Sequence, residues 1–343
     1  MKYRAIIHDS WVLTQENKKL IWWFGFIPAL LTSLVTMGYL GYQVAAFWTS
    51  PHVNSHAGPK SAMRWLFDFG ADLVASSPGL AVALIIVAAF VGLAYLFLPV
   101  FTQGALIQLV AHIRAGRKVS VLQGFSFGFS RFLQLFEYHL LIKTFSIVSI
   151  LTEVAFVIRN FGPESMMVFG WVFLLVMAVA LLLALFFTYS EYYIVIDNTG
   201  VFKSIISSGG LVVRQLHHTL FMFLLMAIIS LRIIINVLVA LIVPILVIAP
   251  IFFFASITLT WIGVVVGAVV GLIALYFSAY FLGVFHVFAT AVWTFTFLEL
   301  TTHEEELDLR AKAEVEKPVN LREKVESVTE SLEGDEGEVK VIE

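Results

Sequence analysis

Cysteine is absent from the 343 residues, which excludes disulfides and thiolate metal sites and leaves the redox compartment undetermined. Charge is scarce as well, since Asp, Glu, Lys and Arg make up 13% of the chain, about half the usual share of a soluble domain. The net charge of -3 says little about the body of the protein, because the acids gather in a C-terminal tail. Enzyme signatures are missing too: there is no G-x-S-x-G, no H-E-x-x-H and no glycine-rich phosphate loop with its Lys. The sequence therefore offers no catalytic residue, no cofactor and no metal, and the expectation is a protein that is not an enzyme. His52 and His56 are four apart, but the prolines around them and the lack of a nearby carboxylate argue against a shared metal.

What the chain does have is apolar surface. It is 60% hydrophobic, with a mean hydropathy of +0.93, the profile of a polytopic membrane protein whose first partner is the lipid bilayer. In lipid the backbone must satisfy its own hydrogen bonds, and the long apolar runs lack the alternation of a barrel strand, so the fold class is all-α. Asp9, Glu16 and Lys18 interrupt the first twenty residues, so no cleavable leader is expected there.

Val201 to Leu220 organises the rest. As a helix it places Phe202, Ile205, Ile206, Gly209, Val213 and Leu216 near one face and Lys203, Ser207, Arg214 and His217 mostly on the other, the pattern of a helix lying in a membrane surface. Arg4-Ala5-Ile6-Ile7 aligns with Lys203-Ser204-Ile205-Ile206, and Val121 to Phe125 aligns with Val201 to Ile205. Each copy precedes two apolar runs. The expectation is three parallel repeats of surface helix, span, span over residues 1–113, 114–197 and 198–300, giving six transmembrane helices and three cytoplasmic-side interfacial helices. The first surface helix is expected over Met1 to Lys19. Ser120 and Gln123 have capping-box spacing for the second, which should run to about Phe136, and Asp197 to Gly200 is a turn and N-cap signal for the third. The six spans are expected near 20–48, 80–112, 137–158, 166–196, 220–243 and 261–288. A short helix through Ala62, Leu66, Phe69 and Leu73 fills the longest loop.

Counting lysine and arginine orients the chain. With a cytoplasmic N-terminus the outside holds only Lys60, Arg64 and Arg159. Both termini are then cytoplasmic, in a prokaryotic cytoplasmic membrane, and a seventh span after Pro250 is not expected. The tail over 301–343 is acidic, partly helical or disordered, with a thin apolar stripe at Leu321, Val325, Val328 and Leu332 suited to a cytoplasmic protein partner. Its acidity argues against binding nucleic acid.

Charges at membrane depth are the best functional pointers, because a central Arg costs roughly 2.5–3.5 kcal/mol on the mild insertion scale. Arg232, Glu153, His286 and Lys143 form the candidate intramembrane polar cluster, with an Arg232–Glu153 pair at its centre, as a register-fixing pair or a polar path. Glu137 and Glu191 lie nearer the interface, where each could neutralise Arg131 or Arg214. Gly263, Gly267 and Gly271 make two overlapping G-x-x-x-G motifs, which support close helix packing within the chain or in a homo-oligomer. His217 and His218 suit lipid headgroups or a helix C-terminus.

The runs GALIQLVAHIRAGRKVSVLQGF and IVIDNTGVFKSIISSGGLVVRQ resemble a broad, uncharacterised family of prokaryotic membrane proteins. That family includes the membrane domain fused to some glycerophosphodiester phosphodiesterases. The fused catalytic barrel has no counterpart in this chain, so the resemblance implies a membrane module and supplies no catalytic residues. The expected function is a membrane-organising or partner-recruiting module, and the alternative is a small-molecule or lipid transporter with a polar path between spans three, five and six.

Overall fold

The computed structural model describes residues 3–53, 62–143, 147–233, 235 and 260–315. Among them every regular element is helical and no strand occurs. In order they are α1 (Tyr3–Glu16), α2 (Lys18–Trp48), α3 (Ala62–Ser76), α4 (Pro78–Arg114), α5 (Val121–Ser130) and α6 (Phe132–Lys143). There follow α7 (Ile147–Phe161), α8 (Met166–Phe186), α9 (Ser190–Val195), α10 (Val201–Arg214), α11 (Leu216–Ile233) and α12 (Thr260–Val315). Five stretches are long and apolar enough to cross a bilayer: Lys18–Trp48, Pro78–Arg114, Pro163–Val195, Leu216–Ile233 and Val265–Thr302. These apolar helices fit a multi-pass membrane protein.

The expected third span, near 137–158, falls on α6, of 12 residues, and α7, of 15. Residues 144–146 between them, and 236–259, where a seventh span was weighed, lie outside the described residues. The fourth span is interrupted by a turn at 187–189.

The chain packs as two units, residues 1–297 and 298–343. In the second, the last helix runs on past the expected tail boundary at Thr301 to Val315, and the stripe from Leu321 to Leu332 lies outside the described residues.

The core of the first unit lies at one end of its helices. Ile6 and Leu13 of α1, Phe24 of α2, Leu106 and Leu109 of α4, Met222 of α11, and Val287 and Ala291 of α12 pack together there. Arg114 ties α1 to α4, donating to Asp9 Oδ2 at 3.1 Å while its guanidinium lies 4.5 Å from the Phe295 ring centroid. Tyr3 of α1 hydrogen-bonds His218 of α11 and packs on Phe221. Away from this core the helices carry exposed apolar side chains such as Val44, Ile85, Leu174 and Leu272, as lipid-facing surfaces do.

The short helices α1, α5 and α10 each bury two small residues four apart: Ser10 and Thr14, Gly124 and Gly128, Ser204 and Ser208. At Gly124 and Gly128 the space is taken by Phe24, Leu109 and Phe101, which approach a Cβ position to 2.6–2.8 Å. Helix α5 starts at the expected capping box, with Ser120 Oγ accepting from Gln123 N at 3.3 Å and Gln123 Oε1 accepting from Ser120 N at 2.9 Å. It ends at Ser130, earlier than Phe136, because Arg131 leaves the helical conformation. Helix α1 stops before Asn17, whose side chain turns back to the Leu13 carbonyl at 2.9 Å. Helix α10 follows a turn in which Asn198 adopts a φ of 58°, and Gly200 caps it without a side-chain bond. On α10 the expected apolar face points away from the bundle, Phe202 and Ile206 being 72% and 76% exposed. Burial falls instead on Val201, Ser204, Ser208, Leu211 and Val212.

Candidate functional site

The site begins where α2 and α12 cross. Ile21–Phe26 of α2 winds as a π-helical turn, a local widening found often beside functional sites. At its end a Cβ on Gly25 would lie 2.6 Å from the carbonyl oxygen of Gly283, so the two backbones touch. Beyond this crossing α2 and α12 border an open cavity of about 680 Å³ together with Pro99 and Thr102 of α4. Its wall is apolar apart from Thr32, Ser33 and Thr36 of α2, Thr102, Ser278 and His286. Pro99, inside α4, withholds one backbone N–H from the helix, and Thr102 Oγ donates to the Leu98 and Pro99 carbonyls at 2.9 and 3.0 Å.

A second cavity of about 510 Å³ adjoins the first, sharing Thr32, Pro99 and His286 with it, and adds Gln103 and His139. Behind these two stands Glu191. Gln103 Nε2 donates to Glu191 Oε2 at 2.8 Å, and His139 Nε2 lies 3.4 Å from Glu191 Oε1. With its amide nitrogen committed to the carboxylate, Gln103 turns its buried Oε1 free of any partner. Buried acceptors without partners are rare because each costs about 1–3 kcal/mol.

The break at 187–189 is what aims Glu191. A helix interrupted inside lipid leaves backbone groups that need partners. Ser208 of α10 supplies both at once, accepting from Tyr189 N at 3.0 Å and donating to the Phe186 carbonyl at 2.6 Å. Tyr138 donates to the Phe187 carbonyl at 3.0 Å, and Tyr189 Oη pairs with Thr219 Oγ at 3.2 Å.

Of the candidate cluster, the structure places only His286 at these cavities. Arg232 is exposed on α11, and Glu153 is exposed on α7. Among the described residues no ion pair or hydrogen bond joins them. The Lys143 side chain lies outside the described residues. Gly271 lines the larger cavity with nothing within 4 Å of its Cβ position, and the Gly263 side lies outside the described side-chain environment. Among the described residues close helix approach falls on Gly25 and Gly283. Glu191 is held by Gln103 with His139 Nε2 3.4 Å away, and Arg131 reaches Gln134 at 3.3 Å. Gln103, His139 and Thr32 were not singled out by the sequence. The signal available was a run of polar residues in otherwise apolar helices, and it gave no distance between them.

No protein-family profile matches this chain, and no curated protein or solved structure matches it significantly.

Proposed function

We propose that this chain is a membrane transport module for an amphipathic small molecule or lipid, acting without a catalytic centre. The reading is carried by the adjoining cavities, one almost wholly apolar and one with more polar groups in an apolar wall, which share Thr32, Pro99 and His286. An apolar tail suits the larger cavity. A hydrogen-bonding head suits the second, which is bordered by Thr32, Gln103, His139 and His286 with the Glu191 charge behind them. The polar path therefore runs between α2, α4, α6 and α12, and not through Arg232 and Glu153. In this proposal α6 and α7 together make a sixth span, α1, α5 and α10 lie in the cytoplasmic interface as three parallel repeats, and both termini face the cytoplasm of a prokaryotic cell. The small-residue pairs buried on all three short helices support the repeat. The family resemblance supports a membrane module.

A second reading is a membrane-organising module that recruits a protein through its acidic tail. It is favoured by the outward apolar faces of α5 and α10, with Leu122 and Phe129 exposed on one and Phe202 and Ile206 on the other.

Lipid extraction separates the two. Purified chain should carry a co-purifying amphiphile that Ala274→Trp and Ser278→Trp, which fill the cavity, displace. Equal retention by these variants and by Leu174→Trp, at an exposed position on α8, would remove the transport reading.

A further inference from the structure

A separate polar site lies at the far ends of α2 and α7. The first candidate span ends at Trp48 and the third begins at Pro163, so residues 49–53 and 159–162 meet at the level where a bilayer gives way to water. A cavity of about 310 Å³ opens there, lined by Tyr42, Thr49, Ser50, His52, Arg159 and Asn160 among others. Ser50 Oγ donates to the Arg159 carbonyl at 2.6 Å and locks the two helix ends together. Gly162, at a φ of 83°, turns the chain beside His52, whose Nδ1 lies 3.8 Å from where a Cβ would be.

Arg159 is half-buried and fixed in place. Its Nη1 donates to Gln43 Oε1 at 3.2 Å, and its guanidinium carbon lies 5.8 and 5.7 Å from the Tyr42 and Phe156 ring centroids. Gln43 is itself oriented by donating to Tyr39, which donates to Thr152 Oγ at 3.0 Å. All this positioning is by neutral groups, and among the described residues no carboxylate pairs with Arg159. A partly desolvated guanidinium with its geometry preset and no counter-charge is costly unless an anion completes it. The remaining N–H donors of Arg159, the second amide hydrogen of Asn160 and the His52 imidazole border the same cavity.

We propose that this cavity binds a phosphate group, with Arg159 as its charge partner and Asn160 and His52 as supporting donors. The phosphate belongs either to a lipid headgroup or to a free anion. The site is independent of the transport reading, because it shares no residue with the two larger cavities.

Native mass spectrometry of the full chain with dioleoyl phosphatidylglycerol or with dioleoylglycerol, and calorimetric titration with inorganic phosphate, test it. Preferential retention of the phosphatidylglycerol, weakened about tenfold or more in Arg159→Gln and less in Arg159→Lys, supports the site with lipid as the source. Binding of inorganic phosphate with the same variant pattern and no lipid preference supports it with a free anion as the source. If Arg159→Gln fails to fold, the His52→Ala, Asn160→Ala double variant, which leaves the Gln43 contact untouched, gives the reading. Binding of neither ligand by the native chain, or equal retention by every folded variant, overturns the proposal.

Discussion

Gly25 and Gly283 meet backbone to backbone: a Cβ on Gly25 would stand 2.6 Å from the Gly283 carbonyl oxygen, and one on Gly283 would stand 2.7 Å from Phe26 N. Without a hydrophobic drive between helices in lipid, such close approach is what holds a crossing together. Gly25→Ala and Gly283→Ala are each expected to lower stability by about 1–3 kcal/mol, the usual cost of overpacking. Gly271→Ala, with open space at its Cβ position, should stay within about 0.5 kcal/mol. Thermal unfolding in one detergent compares the three, and a Gly271 variant as damaged as the others would contradict the assignment.

Ser208 holds both sides of the break between α8 and α9. Ser208→Ala leaves the Phe186 carbonyl and Tyr189 N–H without the hydroxyl that serves them, at a cost of about 1–3 kcal/mol for each buried group. Ser207→Ala, one residue away on a less buried face, should change little. Hydrogen exchange at Tyr189 should rise in the first variant and not in the second.

Glu191 contributes charge at a price in solvation. Glu191→Gln keeps an oxygen for Gln103 and removes a half-buried carboxylate, so its thermal midpoint should equal or exceed the native one. Glu191→Ala strands Gln103 Nε2 and should cost about 1–3 kcal/mol. An alanine variant more stable than the glutamine variant would contradict this account of the site.

Tyr3 gives a pH dependence of known sign. Burial against α11 raises its phenol above the ordinary value of 10.0, so the folded state keeps the proton longer than the unfolded chain. Its contribution is complete below the unfolded value and is lost as pH rises through the higher folded one. Stability measured from about pH 8 to about pH 11 should fall, and Tyr3→Phe should flatten that fall while losing about 1 kcal/mol at the lower pH with the His218 hydrogen bond.

Much of the helical order was legible in the residues. Long apolar runs marked the five candidate spans, and Ser120 with Gln123 marked the start of α5, because both signals are local. The break at 187–189 was not legible, since its backbone groups are served by Ser208 and Tyr138, residues remote in sequence whose hydroxyls look like ordinary surface or packing groups. The same gap hid the site. Glu191 read as an interfacial charge by depth along one straight helix, and only the break turns it toward Gln103 and His139. Three glycines spaced along α12 announced a small face without saying what fills it, whereas the contact that forms uses Gly283 with Gly25, some 250 residues apart. Arg159 counted only as an outside charge, because its cage of Gln43, Tyr42 and Phe156 is assembled across two helices.

The central claim is that the shared cavity is an aqueous, ligand-accessible space within the helices. The natural absence of cysteine makes the test direct: single cysteines at Thr32→Cys, Leu174→Cys and Lys118→Cys, each treated in membranes with a small hydrophilic thiol reagent. Thr32 borders both cavities, Leu174 is exposed on an apolar helix, and Lys118 is exposed between α4 and α5. The account predicts labelling at 118 and 32 and none at 174. Labelling at 118 with position 32 as inert as 174 would contradict it.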